Sequence, residues 1–398
     1  MLTSLALIFL LGLFFGHIFI RLRLPALLGM LLTGIVLGPY VLNLIDGSLL
    51  AVSADLRQIA LIIILTRAGL SLNLQELKRV GRPAILLSFV PASLEILAML
   101  FFAPRLLGIS LLEASLMGAV LAAVSPAVIV PRMLKLMDTG YGTDQSIPQM
   151  IMAGASVDDI FVIVLFTVFA AMADGRQVSL AQFASIPVSI VLGIVLGIGV
   201  GLLLSRFFKR FHMRDSVKII LLLCVAFLLL ELQKQLADYV AISALLAVMT
   251  LGVTMLRDYP VLAKRLSLRY EKLWVTAEVI LFVLVGAAVD VRYAAAAGGP
   301  VILLILAVLL FRMVGVAICV AKTTLTTKER LFCALAYVPK ATVQAAIGGI
   351  PLAMGLPSGP LVLTVAVTAI LLTAPLGALA IDRTYKKLLQ PAAGNEEA

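Results

Sequence analysis

Charge is what this chain has little of. Asp, Glu, Lys and Arg make up 13% of its 398 residues against 62% hydrophobic, and the mean hydropathy is +1.15. Soluble domains carry roughly a quarter of their residues as charges, and no polar stretch here is long enough to build one. Histidine is nearly absent: His17 lies in the first apolar run and His212 in a basic loop, neither with a companion ligand. The three cysteines (Cys224, Cys319, Cys333) stand singly in apolar runs, which excludes a disulfide framework and a zinc site and leaves small core residues. There is no Walker sequence, and no GxGD stands within an apolar run. Those absences argue against ATP-driven chemistry and against an intramembrane aspartyl protease, which places its two carboxylates on separate helices. The fold and chemistry expected are therefore those of a non-enzymatic membrane protein.

What is present is apolar sequence in long continuous runs. Continuity rather than alternation points to helices and excludes a barrel. The class expected is an all-α polytopic membrane protein with thirteen spans, near 2–20, 25–42, 57–72, 83–104, 112–134, 147–172, 186–205, 216–232, 239–256, 273–290, 300–321, 330–355 and 359–381. The N-terminus has no basic region before Leu2–Ile20, a run too long for a signal-peptide core, so a first transmembrane helix is expected there. With the N-terminus outside, 23 of the 31 Lys and Arg fall in inward loops and span ends, among them Lys78, Arg79, Lys209 and Lys386, whereas outward loops keep only Arg105, Arg176, Lys234 and Arg292. That asymmetry puts the C-terminus in the cytoplasm. It also explains the net charge of +10 through orientation and anionic lipid contact, with no nucleic acid partner.

Thirteen spans divide into six, a linker at 186–205, and six more of opposite topology. The fifth and twelfth spans then correspond, and both are interrupted: Val124-Ser125-Pro126-Ala127 with Pro131 in one, Val338-Pro339-Lys340-Ala341-Thr342 with Gly348-Gly349 and Pro351 in the other. Proline removes a backbone donor, and unwound backbone at membrane depth survives only where protein or water satisfies it. Paired interruptions in matching positions mark a transport site between inverted repeats with two crossing discontinuous helices. Gly193, Gly197 and Gly201 in the linker, and Gly34 and Gly38 in the second span, suit close helix packing, either within one protomer or between two.

Asp158 and Asp159 stand side by side within the sixth span. A carboxylate at mid-membrane costs about 2.5–3.5 kcal/mol on insertion scales, so such residues are usually functional. Consecutive helical residues point about 100° apart, so one aspartate faces a cavity while the other reaches a neighbouring helix. A carboxylate that alternately holds a proton or a hard monovalent cation gives exchange by simple competition. Ser125, Thr342, Gln344 and carbonyls freed at the breaks are candidates to complete the oxygen shell. Glu95 and Arg312 lie in equivalent spans four and eleven and are expected to form a buried ion pair. Lys340, at the twelfth-span break, is read as compensating half-helix charges, with participation in proton exchange as the other possibility.

The stretches Ser125-Pro126-Ala127-Val128-Ile129-Val130-Pro131, Met133-Leu134-Lys135, Gly140-Tyr141-Gly142, Ala155-Ser156-Val157-Asp158-Asp159-Ile160, Arg312, and Leu335 through Ala346 resemble the cation/proton antiporter superfamily. The closest likeness is to its NHA branch, the sodium/hydrogen exchanger domain-containing proteins. The resemblance implies an NhaA-like fold, a homodimer, and exchange of sodium or lithium for protons without any cofactor. It implies a core of helices at 57–172 and 273–381 that moves, elevator-like, against a dimerisation domain formed by 1–42 and 216–256, with 186–205 as linker and 382–398 as a short cytoplasmic tail. Asp159 becomes the main carrier of monovalent cation and proton, with Asp158 beside it. Arg312 stands where paired-aspartate relatives often have lysine, and arginine does not give up its proton, so stoichiometry does not carry over. The rival readings are a sodium-coupled organic-anion symporter on the same fold and, less compatible with paired breaks, a cation channel. A chain with so little soluble extension suggests a bacterial inner membrane.

Overall fold

The structure, a computed structural model, describes residues 1–71, 81–173, 180–236, 240 and 242–391. Lys78, Arg79 and Arg176, counted above toward orientation, and the tail from 392 lie outside the described residues. In chain order the helices are α1 (Leu2–Arg21), α2 (Ala26–Leu37), α3 (Gly47–Ala51), α4 (Ser53–Ser71), α5 (Arg82–Leu87), α6 (Val90–Leu107), α7 (Leu111–Leu121), α8 (Pro126–Thr139) and α9 (Ile147–Ala173). They continue with α10 (Leu180–Arg210), α11 (Asp215–Gln235), α12 (Ala244–Asp258), α13 (Pro260–Ala287), α14 (Val291–Val320), α15 (Thr327–Ala336), α16 (Thr342–Gly348), α17 (Ile350–Ala353) and α18 (Gly359–Leu388). Among the described residues the only extended pairing is a single antiparallel bridge between Tyr141 and Pro391. Among the described residues, seven helical stretches are long and apolar enough to cross a membrane: Leu2–Arg21, Arg82–Leu107, Leu111–Thr139, Ile147–Ala173, Val188–Arg210, Gly298–Val320 and Gly359–Leu388.

Several elements depart from the expected spans for local reasons. The second stops at Leu37, because Gly38 leaves the helical conformation and Pro39 follows it. The fourth is two helices, α5 and α6, parted at Ser88-Phe89. Pro91 has no N–H to offer the Leu87 carbonyl, which ends the first segment, and the Ser88 hydroxyl donates to Ala84 O at 2.9 Å. The tenth begins earlier than hydropathy suggested, at Pro260, where a proline at the first helical position costs no hydrogen bond.

The chain forms two compact units. One comprises Met1–Ala54, Asn73–Val162 and Leu281–Ala398; the other comprises Asp55–Leu72 and Ile163–Ile280. In the first, α14 packs along α6, α1 along α2, and α18 against α15, α16 and α17. Its core includes Ile129 and Met133 of α8, Ile147, Ile151 and Ala155 of α9, Val316 and Val320 of α14, and Phe332, Cys333 and Tyr337. The three cysteines are free, with Cys319 and Cys333 buried as apolar filler.

In the second unit α10 and α12 run in close contact, and the tandem glycines explain why. A Cβ at Gly193 would lie 2.7 Å from the Ser243 carbonyl oxygen, one at Gly197 would lie 2.7 Å from Thr250 Cβ, and one at Gly201 would lie 2.8 Å from Thr254 Cβ. The stripe therefore packs against α12 of the same chain, which settles its role within one protomer. Gly197→Leu is expected to lower stability by about 1–3 kcal/mol, because the obstruction includes the Ala247 carbonyl as well as side chain. Thermal unfolding of the purified protein in detergent measures this, and an unchanged midpoint would show that the helices part without cost.

Candidate functional site

Every residue of the candidate site belongs to the first unit. Two interrupted stretches build its frame. Between α7 and α8 the chain leaves the helix at Ala122 and passes through an extended Ser125 (φ −92°, ψ 107°). It re-enters at Pro126, where a missing N–H leaves no bond unmade. Between α15 and α16 it leaves after Ala336 and turns through Pro339 and Ala341 (φ −161°, ψ −75°). The breaks meet: Ser125 N donates to Pro339 O at 2.8 Å. The Thr373 hydroxyl of α18 accepts from Lys340 N at 3.1 Å.

A helix that ends inside protein exposes carbonyls with no intrahelical donor and a partial negative charge. At the end of α7, side chains from elsewhere in the chain supply the donors. Lys340 Nζ donates to Leu121 O at 2.6 Å, and Gln344 Nε2 donates to Leu121 O at 3.1 Å and to Ala123 O at 2.8 Å. Arg312 Nη1 donates to Ala122 O. Two of the three are cations, the sign a helix C-terminus favours.

Arg312 is the hub. Its side chain is 0% exposed, as are those of Glu95, Asp158 and Lys340. Nη1 lies 3.0 Å from Glu95 Oε2, Nη2 lies 2.9 Å from Asp158 Oδ2, and Nε donates to Tyr337 O at 2.9 Å. The planar guanidinium fork can serve acceptors on several sides at once, which an ammonium cannot. Glu95 takes a second cation, with Lys340 Nζ at 2.6 Å from Oε1 and 2.9 Å from Oε2. Asp158 Oδ2 also accepts from Val124 N at 2.8 Å, which ties α9 to the first break.

Asp159 is different. It is half-buried, its Oδ1 is shielded from solvent, and among the described residues it makes neither a hydrogen bond nor an ion pair. Other buried oxygens near the breaks also lack hydrogen-bond partners among the described residues: Ser125 Oγ, Thr342 Oγ1, Gln344 Oε1 and Asp158 Oδ1. Buried oxygens are rarely left so in native proteins without a water, an ion or a functional reason. Carboxylate, hydroxyl and amide oxygens are the donor set of a hard cation and a poor one for a soft metal.

Sequence reasoning placed these residues on helices and at breaks. It gave Lys340 no contact with Glu95 and did not single out Tyr337, Thr373 or the Leu121–Ala123 carbonyls. Pro339, two residues after Tyr337 and directly before Lys340, was the available signal, since the carbonyls and side chains around a broken helix must find partners outside it.

The sequence matches the family described as sodium/hydrogen exchanger, transmembrane, over residues 5–387. It is 34% identical to sodium/hydrogen exchanger 9B2 of Xenopus tropicalis over 85% of this chain and 64% of that protein. It is likewise 34% identical to sodium/hydrogen exchanger 9B1 of Mus musculus over 92% of this chain and 66% of that protein. The chain thus spans just under two thirds of the length of these relatives. Human sodium/hydrogen exchanger 9B1 is 32% identical over 92% of this chain and 73% of its own length. Among solved structures the fold is similar to that of the sodium proton antiporter MjNhaP1 from Methanocaldococcus jannaschii, with a TM-score of 0.79, 23% identity, and coverage of 97% of this chain and 96% of that one. The helical interior, the two breaks and a sequence match along nearly the whole length converge: this chain is an integral membrane protein of the transmembrane sodium/hydrogen exchanger family.

Proposed function

We propose that this protein exchanges sodium or lithium for protons across a membrane, with Asp159 as the group that carries either ion. One observation bears most of the weight. Of the three carboxylates at the site, Asp158 and Glu95 are held by Arg312 and Lys340, whereas Asp159 has no partner among the described residues. Counting Glu95, Asp158 and Asp159 against Arg312 and Lys340 leaves one negative charge, which one proton or one monovalent cation neutralises. Competition of the two for Asp159 couples their movements without a further device. Ser125, Thr342 and Gln344 offer the uncommitted oxygens that replace part of the ion's hydration. Asp158, fixed to Arg312, shapes the field around Asp159. Lys340 both balances Glu95 and caps α7, so its role is structural. An organic-anion substrate fits less well, since the cationic donors at the site are already engaged by protein acceptors.

The thirteen-span reading, six helices and six inverted about the linker at 186–205, is retained as part of this proposal. It is supported by the matched breaks and by the sign of the loops, with the N-terminus outside and the C-terminus in the cytoplasm. The division into a moving core (57–172 and 273–381) and a dimerisation domain (1–42 and 216–256) in a homodimer rests on the family likeness. The vertebrate relatives lend no support to a bacterial inner membrane.

Sodium binding tests the site directly. In weakly buffered detergent solution, isothermal calorimetry is expected to register proton release as sodium binds. Asp159→Asn is expected to abolish both the heat and the release while the protein stays folded. Undiminished binding by that variant would move the site elsewhere.

A further inference from the structure

Tyr337 touches two parts of the site from opposite ends. Its carbonyl oxygen accepts from Arg312 Nε at 2.9 Å, and the guanidinium carbon lies 5.6 Å from the centre of its ring. The side chain is fully buried, and its hydroxyl has no hydrogen-bond partner among the described residues. That hydroxyl abuts α9 at Gly154, where an added Cβ would overlap the phenolic oxygen. The same Cβ would stand 2.8 Å from Leu87 Cβ and 3.4 Å from Ala84 O, so the niche is closed on the α5 side as well. Gly154 is one helical turn before Asp158 and on the same face of α9.

A buried phenol oxygen without a partner loses its hydration and gains nothing in return. Phenylalanine would bury the same ring without that loss, so packing of the ring alone does not explain the oxygen, which reaches beyond the ring to α9. We propose that Tyr337 is a positioning residue for the ion site. Its hydroxyl props α9 at Gly154 while its main chain holds Arg312, and the length of this one side chain sets the gap across which Asp158 and Arg312 meet. Because Asp158 precedes Asp159, a change in that gap alters the field at the ion-carrying carboxylate. This inference rests on the reading of Asp159 as the carrier.

The test is Tyr337→Phe in proteoliposomes, with sodium-dependent proton flux measured across a range of pH and thermal unfolding measured alongside. The expected variant is at least as stable as wild type, keeps its maximal rate, shows a sodium KM raised roughly three- to tenfold and a displaced pH profile, as small misplacements at pre-organised sites produce. Gly154→Ala is expected to raise the KM as well. In Gly154→Ala/Tyr337→Phe the two effects should fall short of multiplying, since removing the oxygen makes room for the methyl group. A wild-type KM and pH profile in a stable Tyr337→Phe would overturn the inference, and so would strictly multiplicative effects in the double variant. If Gly154→Ala does not fold, Tyr337→Phe decides alone. Absence of sodium-dependent flux in wild type would remove the exchange reading and this inference together, whereas wild-type flux with an unaltered Tyr337→Phe would remove only the inference.

Discussion

Arg312→Gln is expected to lose about 3–5 kcal/mol of folding stability and all ion exchange. In the native protein the guanidinium serves Glu95, Asp158, the Tyr337 carbonyl and the Ala122 carbonyl at once. Glutamine leaves Asp158 a buried carboxylate with only Val124 N as donor, and it takes from the end of α7 the donor to the Ala122 carbonyl. Such a carboxylate takes up a proton or drives local unfolding, and either outcome changes the charge next to Asp159. Arg312→Lys keeps the charge but cannot reproduce the fork, so it should recover only part of the loss. Thermal or denaturant unfolding in detergent reads the stability, with flux measured on the same preparation. If Arg312→Gln unfolded with wild type, the buried pairs would be contributing nothing.

The second large effect concerns Glu95 and Lys340, which contact each other with both side chains fully buried. Glu95→Leu strips Lys340 of its carboxylate and Arg312 of one of two, and should cost about 3–5 kcal/mol. Lys340→Met leaves Glu95 still bonded to Arg312, so its cost should be smaller, about 1–3 kcal/mol. The double variant removes both charges of the pair, and its cost should fall short of the sum of the singles by at least about 1 kcal/mol. The shortfall measures the pair itself, since the loss of Lys340 from the Leu121 carbonyl occurs in both backgrounds. Additive costs would mean that the two side chains act independently despite their contact.

Much of the helical layout was legible because lipid imposes a simple rule: every backbone group must be satisfied within the segment, so apolar runs of sufficient length are helices. The two interruptions at Pro126 and Pro339 were legible for the same reason, since proline advertises a missing donor. The break at Ser88-Phe89 was not read, although Pro91 carried the same signal, because the apolar run around it continues unchanged. At the site, sequence separated the surroundings of Asp158 and Asp159 by helical geometry and paired Glu95 with Arg312 from their equivalent places in the two repeats. Which aspartate meets Arg312 depends on the rotation of α9, which no periodicity in a uniformly apolar helix reports. The reach of Lys340 to Glu95 and to Leu121 was hidden for a different reason. A four-carbon stem has several acceptors within range, and only the approach of the two breaks, through Ser125 N and Pro339 O, selects among them.

The most direct measurement is proton flux in proteoliposomes holding a preset pH gradient, with sodium, lithium and potassium added in turn to wild type and to Asp159→Asn. Wild type is expected to move protons on addition of sodium or lithium, and Asp159→Asn, folded to the same extent, is expected to move none. No cation-triggered movement in folded wild type, or undiminished movement in Asp159→Asn, would contradict exchange at this carboxylate.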